Sequence, residues 1–366
     1  MGATLSEPET TRETHSCANG YVKVGSSSMQ GWRISMEDAH THLLAIPDDK
    51  DASFFGVYDG HGGASVSQHA SYNLHKFIVQ SQAYRDGNIT EAIREGFLKM
   101  DDEILNNAEI RAGYAGTTAN IVMLKNDTLY CGNVGDSRAV ISHCGLAEAL
   151  SVDHKPLNEP ESERIYAAGG FVEFNRVNGN LAMSRALGDF IYKQNEQKSP
   201  QEQIVVGTKS SICDVFDSCI VVCYSAYPDV ISRKITDDDE FILLACDGIW
   251  DVLTNQEVID FCRDRIAIGM EPENICEEML LHCLAPDCQM AGLGCDNMTV
   301  ILVCLLQNRP YQELQKKCQR PRPASPTNDE QDFNVPEANS VDHDPEPKEN
   351  RVRAAKVKPV RVYFSP

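Results

Sequence analysis

A chain of 366 residues, 42% of them hydrophobic, can bury one large core or two modest ones, and its length alone favours neither. The formal net charge of −21 excludes nucleic acid and anionic membrane surfaces as main partners, because phosphate groups repel a surplus of carboxylates. The longest apolar runs are far shorter than the ~20 residues of a membrane-spanning helix, so we expect no segment to cross a bilayer.

The N-terminus fits the N-myristoylation pattern, with Gly2 exposed after removal of Met1 and a hydroxyl residue at Ser6. One myristoyl chain would hold the protein at a membrane only reversibly. The alternative is an unmodified N-terminus, and in both cases the sequence predicts that residues 1–19 are flexible.

Strands and helices alternate over residues 20–306, which we predict to form one folded region. Residues 53–58 and 239–246 are apolar runs that predict buried strands, each followed by an Asp-Gly pair. Further strands are predicted by β-branched and apolar residues at 117–125, 128–133, 139–142 and 298–306. Helical spacing of apolar residues predicts four helices, with stripes that begin at Val66, Ile93, Val258 and Ile275.

Residues 307–366 differ in composition from the region before them. They are rich in Pro, Asn, Asp, Glu and Lys and contain few large apolar residues. Such a segment cannot offset the entropy cost of ordering, so we predict a disordered tail.

Fourteen cysteines in a chain of this size, without a secretory signal, predict reduced thiols and a cytoplasmic protein. A nuclear or membrane-associated fraction is also compatible with the sequence. The residues His282, Cys283, Cys288 and Cys295 could form a zinc cluster, but they lack paired Cys-x-x-Cys spacing, which favours buried free thiols.

Carboxylates placed beside glycines or at predicted strand ends are the most informative feature. They occur as Glu37-Asp38, Asp59-Gly60, Asp247-Gly248 and Asp296-Asn297. An isolated Asp-Gly pair is usually only a turn, but carboxylates that converge repel one another unless a cation lies among them. Oxygen ligands favour Mg²⁺ or Mn²⁺ over Zn²⁺, and two such ions would activate a water for in-line attack on phosphorus.

Three other residues near these carboxylates suggest phosphate chemistry. Arg33 could grip two phosphate oxygens, although a surface ion pair is the alternative interpretation. His61 could protonate a departing serine or threonine oxygen, although a lone histidine is more often structural. Gly60 has no side chain, so its carbonyl could approach a bound ion.

At these residues the chain resembles the metal-dependent, type 2C serine/threonine protein phosphatases, over about Tyr21 to Leu306. The stretches that carry the resemblance are Ser28 to Arg33, Met36 to His40, Val57 to Gly63, Gly116 to Ala119, Gly135 to Arg138, Asp153 to Pro156, Arg176 to Asp189, Ala245 to Asp251 and Cys295 to Thr299. Within the family, Met1 to Ser6 and Ala291 to Asn297 resemble the gamma-type animal enzymes and their fungal relatives.

The resemblance implies an α+β fold of four layers, α-β-β-α. A central β-sandwich of two mostly antiparallel sheets would be flanked by helices, with a binuclear metal site at one end. Residues 20–306 would be the catalytic domain. The protein would act on phosphoprotein substrates, as a monomer.

The resemblance also implies roles for single residues. Asp59 would bridge two Mg²⁺ or Mn²⁺ ions, with Asp247 and Asp296 completing one site and the Gly60 carbonyl serving the other. The remaining implied metal residues are Glu37 and Asp38, which act through water, and Asp136 and Asp251, which join Asp247 at a weaker third position with Thr118 close by. Arg33 would hold the phosphate and His61 would be the general acid.

One segment departs from the family pattern. Residues 206–224 form an atypical insertion that contains three cysteines and an apolar run, unlike the polar insertions that surfaces tolerate. We interpret it as translated, unspliced intron sequence, and abundant native peptides from it would refute this. If genuine, it borders the flap that the resemblance implies around residues 155–200.

A catalytically weak or silent member that only binds phosphoproteins is the main alternative function. The complete set of candidate ligands argues against it. Other phosphoryl-transfer enzymes fit worse, because the sequence contains no P-loop and no kinase His-Arg-Asp motif.

Overall fold

Two large antiparallel sheets dominate the structure, a computed structural model that describes residues 4–111, 115–193, 202, 227–288 and 292–323. In spatial order, the six-stranded sheet contains β1 (Thr4–Ala18), β2 (Val22–Arg33), β16 (Met298–Leu305), β15 (Asp239–Ala245), β9 (Arg138–His143) and β10 (Leu146–Ala149). The five-stranded sheet contains β14 (Asp229–Lys234), β8 (Thr128–Val134), β7 (Ala119–Lys125), β4 (Ala52–Tyr58) and β3 (Ala39–Leu43).

The remaining elements are helices and short strands. The helices are α1 (Ser65–Gln80), α2 (Gln82–Arg85), α3 (Ile89–Asn106), α4 (Ala108–Arg111), α5 (Glu159–Ala167), α6 (Asp247–Trp250), α7 (Asn255–Ala267), α8 (Pro272–Cys283) and α9 (Tyr311–Cys318), with a 3₁₀ turn at Phe190–Tyr192. The short strands are β5 (Gly60–His61), β6 (Gly116–Thr117) and β13 (Leu187–Gly188), which pair together, and the hairpin of β11 (Val172–Glu173) and β12 (Arg176–Val177).

The central strands are apolar on both faces because each sheet is covered on both sides. In β4, Phe55 packs between the sheets, whereas Phe54 faces the opposite side and packs with α1 and α3 residues such as Phe97. In β15, Ile242 packs between the sheets and Leu243 packs with residues of α7 and α8. This period-two alternation gives four layers in the order helix, sheet, sheet, helix. The predicted α+β sandwich is confirmed.

The prediction of a flexible N-terminus is wrong for Thr4–Ala18. This segment forms β1, which pairs antiparallel with β2 from Thr4 opposite Arg33 to Ala18 opposite Lys23. Thr14 adds side-chain hydrogen bonds to Ser27 (2.9 Å) and to Glu277 (2.7 Å). Its polar composition concealed the strand, because an edge strand is held mainly by main-chain hydrogen bonds that do not depend on side-chain type.

The prediction of a disordered tail is wrong for its first part. Tyr311, Leu314 and Cys318 of α9 are buried against the helical layer of the six-stranded sheet. The three residues are three and four positions apart, so they lie on one face of this two-turn helix and pack together into the core. The rest of the tail, residues 324–366, lies outside the described residues, as do Gly2 and the insertion at 206–224.

The cysteines also depart in part from expectation. Cys288 and Cys295 form a disulfide, so the prediction of reduced thiols is wrong for this pair. The other nine cysteines of the described ranges are free, and seven of them are buried. His282 packs against the ring of Phe261 and Cys283 lies in the core, so the zinc alternative at these four residues finds no support.

No helix within the described ranges has the length and apolar character needed to span a bilayer.

Candidate metal centre and active site

Asp59 lies at one end of the sandwich, immediately after the buried strand β4. Its backbone is fixed on both sides, because its N–H donates to the Thr118 hydroxyl (3.0 Å) and its carbonyl accepts from the Thr118 N–H (2.9 Å). The Thr117 hydroxyl also donates to the Asp59 carbonyl (3.0 Å). These hydrogen bonds at the end of β4 therefore fix the position of the Asp59 backbone, and with it the direction of its side chain.

Two glycines allow neighbouring segments to approach the site closely. A Cβ at Gly60 would collide with the carbonyl oxygen of Glu37, and a Cβ at Gly248 would collide with that of Asn297. Gly248 stands in α6 directly after Asp247, so the second contact brings Asp247 beside the Asp296-Asn297 segment. The Asp-Gly pairs are thus packing requirements as well as turns.

Asp38 completes the inner group of carboxylates. It is 8% exposed and accepts a hydrogen bond from the Thr299 hydroxyl (2.7 Å). A carboxylate oxygen of Asp38, one of Asp59 and the sulfur of Cys246 all lie within 4.8 Å of one another. The neighbouring Glu37 is held by its backbone N–H, which donates to the Asn297 side chain (3.0 Å).

Asp136 and Asp251 extend the group on the side of Asp247. Asp136 is 1% exposed, and its Oδ2 accepts a hydrogen bond from Lys155 (2.5 Å). Its Oδ1 is buried and has no hydrogen-bond partner in the described part of the chain. A buried carboxylate oxygen without a partner is costly, and a cation is one group that could satisfy it.

The electrostatics of the cluster favour a bound cation. Burial raises the pKa of Asp59 well above its ordinary value, and the charges of Asp247 and Asp38 raise it further. Burial and the charge of Asp136 also raise the pKa of Asp247 well above its ordinary value. Burial raises the pKa of Asp38 to about 7. Carboxylates that destabilise one another in this way fit a hard divalent ion. The Cys246 sulfur beside them is already engaged, because it accepts from the Thr299 N–H (3.1 Å) and donates to the Asn297 carbonyl (3.5 Å).

Arg33 stands at the rim of the cluster and forms an ion pair with Asp296. It is partly exposed, and together with His61 it lines a cleft of about 510 Å³ above the carboxylates. The full lining is Arg33, Ile34, Ser35, Glu37, Asp59, Gly60, His61, Gly62, Arg176, Asn180, Leu181, Ala182, Met183, Asp247, Asp296 and Asn297. Four acidic residues and two arginines, Arg33 and Arg176, therefore line the same cleft.

His61 has a carboxylate partner that sequence reasoning missed. Its Nε2 lies 2.7 Å from Oδ2 of Asp189, which is 4% exposed, and its Nδ1 is buried without a partner among the described residues. Burial lowers the pKa of His61, but the charge and hydrogen bond of Asp189, together with the charges of Asp136 and Glu37, outweigh this, so the pKa is raised overall. The available signal was the Gly188-Asp189 pair, but its position in the sequence says nothing about contact with His61.

The structure brings together every residue that the sequence predicted for the site. Arg33, Glu37, Asp38, Asp59, Gly60, His61, Asp136, Asp247, Asp251 and Asp296 line the cleft, the adjoining cavity or their shared floor. Thr118 lies against Asp59, as expected. Sequence reasoning gave no role to Lys155, Asn297 or Thr299, which hold Asp136, Glu37 and Asp38 respectively.

Comparison with known proteins identifies the family. The family model for protein phosphatase 2C matches residues 22–292. The chain belongs to the protein phosphatase 2C family. A probable protein phosphatase 2C of Caenorhabditis elegans is 55% identical over 330 residues, which are 90% of this chain and 87% of that protein. Protein phosphatase 2C homolog 3 of Schizosaccharomyces pombe is 46% identical over 322 residues, 87% of this chain and 72% of that protein.

Solved structures agree at the level of the fold. A phosphatase from Toxoplasma gondii aligns with a TM-score of 0.64 and 24% identity, covering 82% of this chain and 96% of that one. A serine-threonine phosphatase 2C from the same organism aligns with a TM-score of 0.62 and 21% identity. As a protein phosphatase 2C, the chain is a serine/threonine protein phosphatase, a metal-dependent hydrolase that acts on phosphoproteins.

Proposed function

We propose that this phosphatase hydrolyses phosphoserine and phosphothreonine in proteins, and that its acidic residues would hold two Mg²⁺ or Mn²⁺ ions, which would supply an activated water. The observation that carries the proposal is the convergence of Asp38, Asp59, Asp136, Asp247 and Asp296 at one end of the sandwich, where the pKa values of Asp59 and Asp247 are raised well above normal. Such a group is costly unless cations neutralise it, so its presence under a cleft argues for function.

Asp59 would contact both ions, with Asp247 and Asp296 on one and the Gly60 carbonyl on the other. Glu37 and Asp38 would act through water, and Asp136 and Asp251 would hold a weaker third ion. Oxygen donors alone favour Mg²⁺ or Mn²⁺ over softer metals. When bound, such ions supply an activated water and neutralise charge on the phosphoryl group.

Arg33 would bind and orient the phosphate. Its guanidinium is partly exposed in the cleft and has one carboxylate partner, Asp296, so it retains donors for phosphate oxygens. Binding there would fix the phosphorus above the carboxylates and leave the serine or threonine oxygen toward His61.

His61 would protonate the leaving oxygen, and Asp189 would position it. The Asp189 carboxylate occupies Nε2, so a protonated ring offers its second proton from Nδ1. Because Asp189 raises the pKa of His61, it increases the protonated fraction near neutral pH, which is the form that a general acid needs.

Hydrolysis of a phosphothreonine peptide tests this function. We expect no turnover after EDTA treatment, recovery with Mn²⁺ or Mg²⁺, and loss of at least about 10²-fold in kcat for Asp59→Asn. The exposed Asp51→Asn variant is the matched control and should retain wild-type turnover.

Metal-independent turnover, or a fully active Asp59→Asn variant, would contradict the mechanism. The silent, phosphoprotein-binding alternative predicts that the metal-loaded wild type binds the peptide and leaves its phosphate intact. Comparing peptide binding with phosphate release therefore separates the two functions.

We also propose that Gly2 is myristoylated and that the protein is a cytoplasmic monomer with nuclear or weakly membrane-bound fractions. The support for the modification is the sequence pattern, with a glycine after Met1 and a hydroxyl residue at Ser6. Intact mass of protein from eukaryotic cells should show the acyl group in wild type and its loss in Gly2→Ala. Light scattering after gel filtration should give the monomer mass.

A further inference from the structure

Three potential metal ligands meet at the end of the sandwich opposite the phosphatase centre. A ring nitrogen of His143, the sulfur of Cys144 and a carboxylate oxygen of Asp238 lie within 4.8 Å of one another. His143 ends β9, and Asp238 directly precedes β15. Strand β9 has six residues and β15 has seven, and both lead from this cluster to the catalytic end. At ~3.3 Å per residue, the two sites are about 20 Å apart. The cluster is therefore separate from the active site.

We propose that His143, Cys144 and Asp238 form a site for a divalent transition metal of the Zn²⁺ class. One imidazole, one thiolate and one carboxylate are the borderline ligands that Zn²⁺ accepts, whereas Mg²⁺ and Ca²⁺ prefer oxygen alone. Ligand atoms around tetrahedral Zn²⁺ lie about 3.5 Å apart, so a shift of about 1 Å would complete the site. Three protein ligands leave the fourth position for water.

The backbone at Cys144 adopts a conformation that is unfavourable for a cysteine. Cys144 and Gly145 form the two-residue turn between β9 and β10, with φ of 51° and 81°. Asn-Gly is the favoured pair for such a turn, and a cysteine at its first position is strained. The Cys144 N–H also donates to the Asp238 carbonyl (3.0 Å), which ties this turn to the one before β15. An unfavourable residue held in this way suggests a use for its thiol.

The surrounding hydrogen bonds prepare His143 as a ligand. Its Nδ1 lies 2.9 Å from the carboxylate of Asp239, which is fully buried and also accepts from Arg233 (2.8 Å) and the Thr236 N–H (2.7 Å). A carboxylate accepts, so the hydrogen bond to Asp239 places the His143 proton on Nδ1, and the proposed site would use the lone pair of Nε2. A carboxylate behind the ligating histidine is a common arrangement at zinc sites.

The cavity beside Cys144 and Asp238 is lined by equal numbers of acidic and basic side chains, the others being Asp237, Glu240, Arg263, Lys317 and Arg320. Arg263 lies beside Gly145, but it pairs with the buried Glu240 (3.0 Å), which neutralises it. Burial raises the pKa of the Cys144 thiol, and Asp238 and Glu240 raise it further, so binding must displace the thiol proton. One M²⁺ and one Cys144 thiol would give one metal–thiolate bond and release one H⁺.

A Co²⁺ titration tests the site, with excess Mg²⁺ present to fill the oxygen-ligated active site. Thiolate ligation of Co²⁺ produces an intense near-ultraviolet charge-transfer band, which oxygen ligands do not give. We expect this band to saturate at one equivalent in wild type, and Zn²⁺ to abolish it by displacement. Cys144→Ser should lose the band, and His143→Ala should weaken Co²⁺ binding at least about tenfold.

Cys17→Ser is the matched control. Cys17 is, like Cys144, a half-buried free cysteine, but it does not belong to the group of His143, Cys144 and Asp238. It should retain the band, and all three variants should keep Mn²⁺-dependent phosphatase activity. A wild-type protein without the band, or a Cys144→Ser variant that keeps it, would overturn the inference. Neither result bears on the phosphatase mechanism, which uses other residues.

Discussion

At the scale of single residues, the active site combines groups that each destabilise the fold. The buried Asp38 lies close to the partly buried Asp59, and the pKa of His61 is raised beside Asp189 although burial opposes this. Such groups cluster at functional sites, where a ligand or an ion of opposite charge offsets their cost. The roles of single residues can therefore be tested by removing one charge or one proton at a time.

The substitution His61→Gln should slow peptide substrates more than aryl phosphates. A serine or threonine oxygen must be protonated as it departs, whereas an aryl oxide leaves readily without a proton. We expect kcat for a phosphothreonine peptide to fall about 10²-fold or more and kcat for an aryl phosphate to fall much less. Steady-state kinetics with both substrates measures this, and equal slowing of the two would remove His61 as the acid.

At the scale of elements, residues 176–183 contribute to the lining of the cleft, and a buried charge network holds the described segment 159–185 to which they belong. Glu161 of α5 is 4% exposed and pairs with Arg164 (2.6 Å) and Arg185 (2.6 Å). Arg185 also forms an ion pair with Asp229 of β14 (2.9 Å), and this pair connects the segment to the five-stranded sheet. A small apolar cluster around Ile165 and Val177 packs beside it.

Glu161 should stabilise the protein in a pH-dependent way. Burial raises its pKa, but Arg185 and Arg164 outweigh this and lower it to about 2, from an ordinary value of 4.5. A depressed carboxyl pKa gives stability that is fully present above about pH 4.5 and is lost as the pH falls through about 2. Urea unfolding of Glu161→Gln should show a loss of about 3 kcal/mol at pH 7, and a shrinking difference from wild type below pH 4.5.

The exposed Glu163→Gln on the same helix is the control and should change the unfolding free energy by less than about 0.5 kcal/mol at either pH. A difference between Glu161→Gln and wild type that stays constant from pH 7 to pH 2.5 would show that the charge of Glu161 is not what stabilises the fold.

Helix α9 should contribute to stability although its sequence lies in the predicted tail. Leu314 is 3% exposed and packs in the core cluster of the six-stranded sheet. Leu314→Ala should therefore lower the unfolding free energy by about 2–4 kcal/mol in urea titrations. The half-exposed Leu281→Ala should cost much less, and equal small losses for both would mean that α9 is not docked in solution.

At the scale of the whole molecule, the two sheets carry their acidic residues to a common end. Asp59 follows β4 of one sheet, and Asp247 and Asp296 flank β15 and β16 of the other. Repulsion among these groups therefore acts across the sandwich and opposes the packing of the two sheets. Cation binding should strengthen the fold as well as enable catalysis.

Removal of divalent ions should lower global stability. At a metal concentration 100 times its Kd, binding to the folded state alone adds about 2.7 kcal/mol. We expect EDTA to lower the Tm of wild type, and Mn²⁺ or Mg²⁺ to restore it. Asp59→Asn should show a smaller response to metal, whereas a response equal to that of wild type would place the ions elsewhere.

The four-layer fold was predicted only through the resemblance to a known family, whereas the sequence by itself determined the buried strands, the four main helices and the acidic residues of the site. It did so because strands covered on both faces read as continuous apolar runs, and because an Asp-Gly pair after such a strand is a local signal. It did not determine β1 or α9, whose few apolar contacts are supplied by distant partners. Nor did it determine the pairing of His61 with Asp189, of Cys288 with Cys295, or of His143 and Cys144 with Asp238. Those contacts join segments far apart in the chain or depend on a particular turn, and only the tertiary packing decides which side chains meet.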